Sequence, residues 1–179
     1  MDLCNVELWR AGHDDARTVT SSVARLRRLS ASHDDAGVSA FAQSCATLLD
    51  AVAATSSARS DAPAAVARLD SLLRTGPGGF LQDAGNLILA RLKEGRGDVR
   101  GALAAVRRRE TFLTRPLYLS TFLREEGRLA ALAGENDAAI EAYRHYLTLR
   151  AAPEPPLRSE VEYVRDELGK LERVGMTKE

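Results

Sequence analysis

The chain has 179 residues, 45% hydrophobic and only 5% aromatic, with 25 basic side chains balanced by 25 acidic ones. That length and apolar fraction support a domain with a substantial core and exclude general disorder. A formal charge of zero lacks the basic excess by which proteins usually grip phosphates, so no nucleic-acid partner is expected.

The opening "MDLCNVELWRAG" has neither the basic region nor the long apolar run of a signal peptide. Residues 3–11 are too short for a full helix, yet Trp9 and Gly12 precede a clear helical pattern over residues 14–29. Residues 1–33 therefore read as a partial N-terminal repeat, either the start of a tail cut from a longer protein or a domain truncated at its beginning. Cys4 and Cys45 have no close-spaced metal pattern, and neither suggests a disulfide framework. Reduced thiols in a cytoplasmic protein are the simpler expectation.

The tetrad "HDDA" occurs at residues 13–16 and again at residues 33–36. His-Asp-Asp groups can ligate a divalent metal, but aspartates at a helix start also cap free amides and complement the helix dipole. Capping is the reading adopted, and no metal or other cofactor is expected. Residues 36–58 form the least polar stretch, interrupted by Asp50 and diluted by Gln43, Ser44 and Thr47. A membrane span needs about 20 mostly apolar residues, so this segment reads as a buried helix without membrane insertion.

From here to residue 150 the sequence repeats with a period of 37 residues. Ala65, Ala102 and Ala139 align, followed by Val66, Leu103 and Ile140, and then by Leu69, Val106 and Tyr143. Leu73, Glu110 and Leu147 continue the register with one mismatch. Upstream, Ser60, Gly97 and Gly134 align, as do Asp61, Asp98 and Glu135. One helix earlier stand Ala53, Ala90 and Gly127, preceded by Leu49, Asn86 and Leu123. Each unit is a helix, a short Gly/Asp turn and a second helix, with small residues where helices approach closely. Such a unit cannot bury its apolar face alone, so units must stack.

Within these units "RTGPGGF" at 74–80 is a loop that ends a helix at Pro77. "GRGDVRG" follows a helix rather than a strand and has the wrong final spacing for a dinucleotide loop, so it reads as an inter-helix turn. In the last unit Ala139, Ile140, Tyr143, Tyr146 and Leu147 share one face, while His145 points away beside Glu141 and Ala142. The runs "RLRRL" (25–29) and "VRRRE" (106–110) lie near helix ends, where arginine suits the negative pole of the dipole. No histidine is placed to activate Cys4 or Cys45, and no catalytic residue is assigned. Beyond Pro153, Pro155 and Pro156, residues 157–173 predict a last helix, with Val161, Val164, Leu168 and Leu171 on one side. Its other face is charged (Glu162, Arg165, Asp166, Lys170), the pattern of a terminal cap, so residues 154–179 are read as capping helix and tail.

The repeats resemble the tetratricopeptide-repeat family. Residues 123–147 supply Leu123, Gly127, Gly134, Ala139 and Tyr143 at that family's spacings. Residues 86–106 supply Ala90, Gly97, Asp98, Ala102 and Val106, and residues 49–77 supply Leu49, Ala53, Ala65, Leu69 and Pro77. The period of 37 exceeds the family's about 34, and the first-helix tryptophan and tyrosine are missing. The resemblance implies an all-α fold: a right-handed α-solenoid of antiparallel helix hairpins with a C-terminal capping helix, residues 34–153 holding three units. It also implies a non-catalytic interaction or scaffold module that binds a partner protein or peptide through its superhelical surface. The array resembles the C-terminal repeat tails of bacterial signalling proteins. The alternative is an accessory assembly subunit built permanently into a larger complex, docked peripherally on a membrane protein's soluble face.

In that family the fifth and ninth positions of each first helix face the groove. Here they are Asp50 and Ala54, Leu87 and Arg91, and Arg124 and Arg128. The resemblance thus makes Leu87, Arg91, Arg124 and Arg128 the expected partner-binding residues. The family's lysine–asparagine anion clamp is absent, and arginine's planar fork points instead to an acidic segment of the partner. The competing expectation is that these arginines are solvated and pair with Glu94 and Glu125.

Overall fold

In a computed structural model the described residues are Cys4 and residues 16–75, 80–109 and 118–176. All regular structure among them is helical, as the sequence predicts. The helices are α1 (Ala16–Ser32), α2 (Ala36–Ser56), α3 (Ala62–Thr75), α4 (Phe80–Glu94), α5 (Val99–Val106), α6 (Leu119–Ala133), α7 (Asn136–Leu149) and α8 (Arg158–Met176). A single 3-10 turn, Pro155–Leu157, leads into α8. The chain divides into two compact units, Met1–Gly85 and Asn86–Glu179.

In the first unit α2 packs against both α1 and α3. Ala42, Ala46, Leu48, Leu49, Ala51 and Ala54 are all buried on it, so the most apolar segment of the chain is a core helix, as expected. It is also the one described helix long and apolar enough to cross a membrane by length and composition. Its start follows from local chemistry. The Asp35 carboxylate accepts hydrogen bonds from the free amides of Gly37 (2.8 Å) and Val38 (2.9 Å), which is the capping role read from the second "HDDA". Those two bonds, Val38's the larger, hold the Asp35 carboxyl below its ordinary value. Except for Ala16, the first "HDDA" lies outside the described residues.

The cysteines require a correction. Cys4 and Cys45, 41 positions apart in sequence, form a disulfide with their Cα atoms 5.8 Å apart. Reduced thiols were expected because spacing along the chain carries no sign of this proximity. It arises because Cys45 sits on a fully buried face of α2, against which residue 4 is laid.

In the second unit α5 packs on α6, α6 on α7 and α7 on α8. Leu123, Tyr143, Tyr146, Val161 and Val164 form its buried centre, with Leu119, Leu147, Leu168 and Leu171 packed around them. The predicted apolar sides of α7 and α8 are thus the packed ones, and Glu162, Arg165, Asp166 and Lys170 are exposed. Ala142, placed on the outer face from sequence, is buried. Helix α5 ends at Val106, while Glu110, the mismatch in the repeat, lies outside the described residues.

The 37-residue register appears in both units as recurring environments. Ala65, Ala102 and Ala139 are buried; so are Ala53, Ala90 and Gly127, and likewise Leu69, Val106 and Tyr143. The turn glycines Gly97 and Gly134 adopt the same left-handed backbone, with φ of 82° and 79°. That conformation closes a helix at little cost only when no Cβ is present. At the first turn the register slips. The left-handed residue there is Ala58, with φ of 48°, two positions ahead of the aligned Ser60.

Candidate functional site

The four residues expected to meet a partner all lie in the second unit. Leu87 and Arg91 sit on α4, the first half-buried and the second exposed, while Arg124 and Arg128 occupy one face of α6. Arg128 grips Glu94 of α4 with both terminal nitrogens, at 2.5 and 2.6 Å, and also donates to Glu125 Oε2 at 2.9 and 3.0 Å. Arg124 donates to Glu125 Oε1 at 3.0 and 3.3 Å and to Glu160 of α8. The second oxygen of Glu160 accepts the Tyr146 hydroxyl at 2.6 Å.

A continuous chain of charge therefore runs Glu94–Arg128–Glu125–Arg124–Glu160 and ends on Tyr146. The structure brings Arg124 and Arg128 together, but as internally paired groups, the arrangement in which Glu94 and Glu125 were the expected partners. Glu160 had no signal in the sequence, because it lies on α8, 36 positions from Arg124. Arg91 contributes its charge to Glu94 without a bond of its own to it.

The Arg128 hydrogen bond, against some desolvation, holds the Glu94 carboxyl below its ordinary 4.5. A carboxylate whose folded-state pKa lies below its unfolded value stabilises the fold above that unfolded value, and loses the contribution as pH falls through the folded one. Arg128→Met should therefore lower stability at neutral pH by about 1 kcal/mol, the ceiling for a pair this accessible. In urea titrations the difference from the parent chain should close as the pH drops below 4.5. A gap that persisted undiminished in acid would mean that the pair is not its source.

A second surface lies on the outer side of α6 and α7. A cavity of about 210 Å³ is lined there by Arg107, Arg109, Glu126, Glu141 and His145 over Leu123. Arg107 donates to Glu126 at 3.1 Å and to Glu135 at 2.8 Å, and Arg109 also pairs with Glu126. Burial works against the Arg107 charge, yet the bonds to Glu135 and Glu126 raise its pKa on balance. His145 is exposed, as its outward position in the sequence pattern implied, and borders this mixed-charge hollow.

The first unit holds the third cluster, around Asp50, which the family resemblance placed beside Ala54 in the groove. Asp50 is the one charged residue of α2 and is only 6% exposed. Arg59 from the α2–α3 turn reaches its Oδ1 at 2.9 Å, while Arg27 of α1 and Arg68 of α3 reach its Oδ2 at 3.3 and 3.2 Å. Arg59 also clasps Asp61 at 2.9 and 2.6 Å, and these bonds, those to Asp61 before that to Asp50, raise its already high pKa. Ala54 is buried and not available for contact.

Comparison with protein-family models, with curated proteins and with solved structures finds no match for this chain. The likeness to tetratricopeptide repeats accordingly rests on the residues of the chain itself.

Proposed function

We propose that the chain is a non-catalytic interaction module of tetratricopeptide-like repeats, whose helix pairs stack as a right-handed solenoid capped by α8 and bind a partner protein. The observation that supports this reading is the register. The same small residues are buried, and the same left-handed turn glycine closes the first helix, at positions 37 apart (Gly97 and Gly134). A repeat of this kind has surface, not a reactive constellation, as its product.

Within the expected contact residues, Arg91 and Leu87 retain accessible surface, whereas Arg124 and Arg128 are committed to Glu94, Glu125 and Glu160. Reversal of Arg128 would set a third carboxylate between Glu94 and Glu125 and disturb folding. Arg91→Glu is the cleaner probe. Tagged protein with this change should keep its helix content and thermal midpoint while capture of its partner from native cells falls about tenfold, roughly 1.4 kcal/mol. Undiminished capture would move the interface away from α4, and stoichiometric recovery with several subunits would favour the accessory-subunit reading. The cytoplasmic setting expected from sequence would hold Cys4 and Cys45 reduced, whereas an oxidising compartment preserves the bridge.

A further inference from the structure

The arginines around Asp50 exceed what its burial requires. A buried carboxylate needs a compensating charge and hydrogen bonds, and Arg59 supplies both from a turn that it also shares with Asp61. Arg59 spends Nε and Nη2 on Asp61 and Nη1 on Asp50, so each of its three nitrogens already serves a carboxylate. Arg27 and Arg68 each give a single terminal nitrogen to Asp50, and their side chains are 54% and 53% exposed. Their remaining N–H groups stand on the surface, held in place from below.

Three guanidiniums against the carboxylates of Asp50 and Asp61 leave one positive charge in surplus. Helix α1, which supplies Arg27, has the sequence "ARTVTSSVARLRRLSAS" with no carboxylate of its own. Beside the cluster opens a cleft of about 420 Å³, within the range of ligand pockets. Thr20, Val23, Ala24 and Ala53 form its small, mostly apolar wall, and Arg27, Arg59 and Asp50 its charged rim. The Arg124–Arg128 cluster of the second unit has no such surplus, since its two arginines face Glu94, Glu125 and Glu160.

We propose that this cleft is the acceptor for an acidic segment of a protein partner, with a glutamate or aspartate side chain received by Arg27 at its rim and by Arg68, which lies outside the lining but shares Asp50 Oδ2 with Arg27, and with small apolar neighbours laid on the exposed Ala24. The proposal rests on the interaction-module reading and names the chemistry of the partner. Asp50 acts as the fixed post that pre-orients the two guanidiniums, which lowers the ordering cost of binding. Arginine's planar fork then presents paired donors that match a carboxylate. The apolar wall suits a peptide better than a bare ion, and the chain as a whole lacks the basic excess that phosphate polymers call for.

The probe is a fluorescently labelled decapeptide of alternating glutamate and alanine, titrated against the full chain by anisotropy. The intact protein should bind it at low salt and more weakly at raised salt, since exposed charges are screened. Arg27→Ala with Arg68→Ala leaves Arg59 to neutralise Asp50, so helix content and thermal midpoint should hold while affinity drops about tenfold or more. Should that double variant unfold, Arg27→Gln alone reads the same contact and should weaken binding severalfold. Arg144→Ala, on an exposed arginine of the other unit, should bind the peptide like the parent. No binding by the intact chain, or equal binding after loss of Arg27 and Arg68, overturns the proposal. So does a preference for phosphatidylserine vesicles or a single-stranded oligonucleotide over the peptide. Loss of peptide binding in Arg91→Glu with retention in the arginine double variant also overturns it, while leaving the module reading intact. Absence of any partner captured from cells would strike the module reading and not this cleft.

Discussion

Removal of residues 155–179 should yield a chain that aggregates or loses helix content, while the intact chain remains soluble. Helix α8 buries Val161 and Val164 completely against Leu123, Tyr143 and Tyr146. Each buried valine contributes about 1.5–3 kcal/mol on its own side of the contact. The deletion also uncovers the surface of the two tyrosines, which rank among the largest fully buried side chains in the described residues. It removes Glu160 as well, leaving Arg124 with Glu125 alone and the Tyr146 hydroxyl without its acceptor. Burial has already raised the pKa values of both Tyr143 and Tyr146, a sign of how far these rings are withdrawn from water. Together these losses approach the 5–15 kcal/mol that stabilises a typical domain. Size-exclusion chromatography and far-ultraviolet circular dichroism of the truncated chain decide the matter. A monodisperse monomer with an unchanged thermal midpoint would deny α8 its capping role.

Helix content, the core helix α2, the apolar sides of α7 and α8 and the Asp35 cap were all legible in the sequence. Each depends on spacing within a single helix or on a side chain bonding amides two or three residues away. What sequence did not reveal depends on how helices cross. Asp50 draws Arg27 from 23 positions upstream and Arg68 from 18 downstream, and no periodicity specifies either distance. Glu160 meets Arg124 for the same kind of reason, and the Cys4–Cys45 bridge joins residues whose spacing is uninformative. The slip at Ala58 shows the limit of the repeat itself. The first turn runs from Ser56 to Ala62, longer than the turn from Ala133 to Asn136, so its left-handed residue falls out of register. Of the four expected contact residues, the sequence named the right neighbours for Arg128, Glu94 and Glu125, but could not show that pairing consumes its donors.

The register also makes a quantitative claim about Gly127. In a helix interior alanine is favoured over glycine by about 1 kcal/mol, so propensity alone makes Gly127→Ala stabilising. The structure reverses the sign. A methyl group on Gly127 would clash with the Tyr143 ring at Cδ1, Cε1 and Cγ. Tyr143 is only 1% exposed and has nowhere to retreat, so overpacking costs about 1–3 kcal/mol and outweighs the gain in propensity. Gly85→Ala is the contrast. There the added carbon meets Leu73 Cδ2 at 2.6 Å, the far end of a flexible side chain that can rotate aside, and the net change should be smaller. The aligned positions indicate the compensation. Ala53 and Ala90 stand where Gly127 does, and in those units the residues in register with Tyr143 are the smaller Leu69 and Val106. Small and large are thus exchanged as a pair. Tyr143→Leu alone should destabilise by leaving a cavity. Combined with Gly127→Ala, it should cost less than the two single changes added together, by about 1–2 kcal/mol in a double-mutant cycle measured by urea unfolding. Simple additivity would show that Gly127 and Tyr143 do not share one packing site, and would break the link between the 37-residue register and the core it describes.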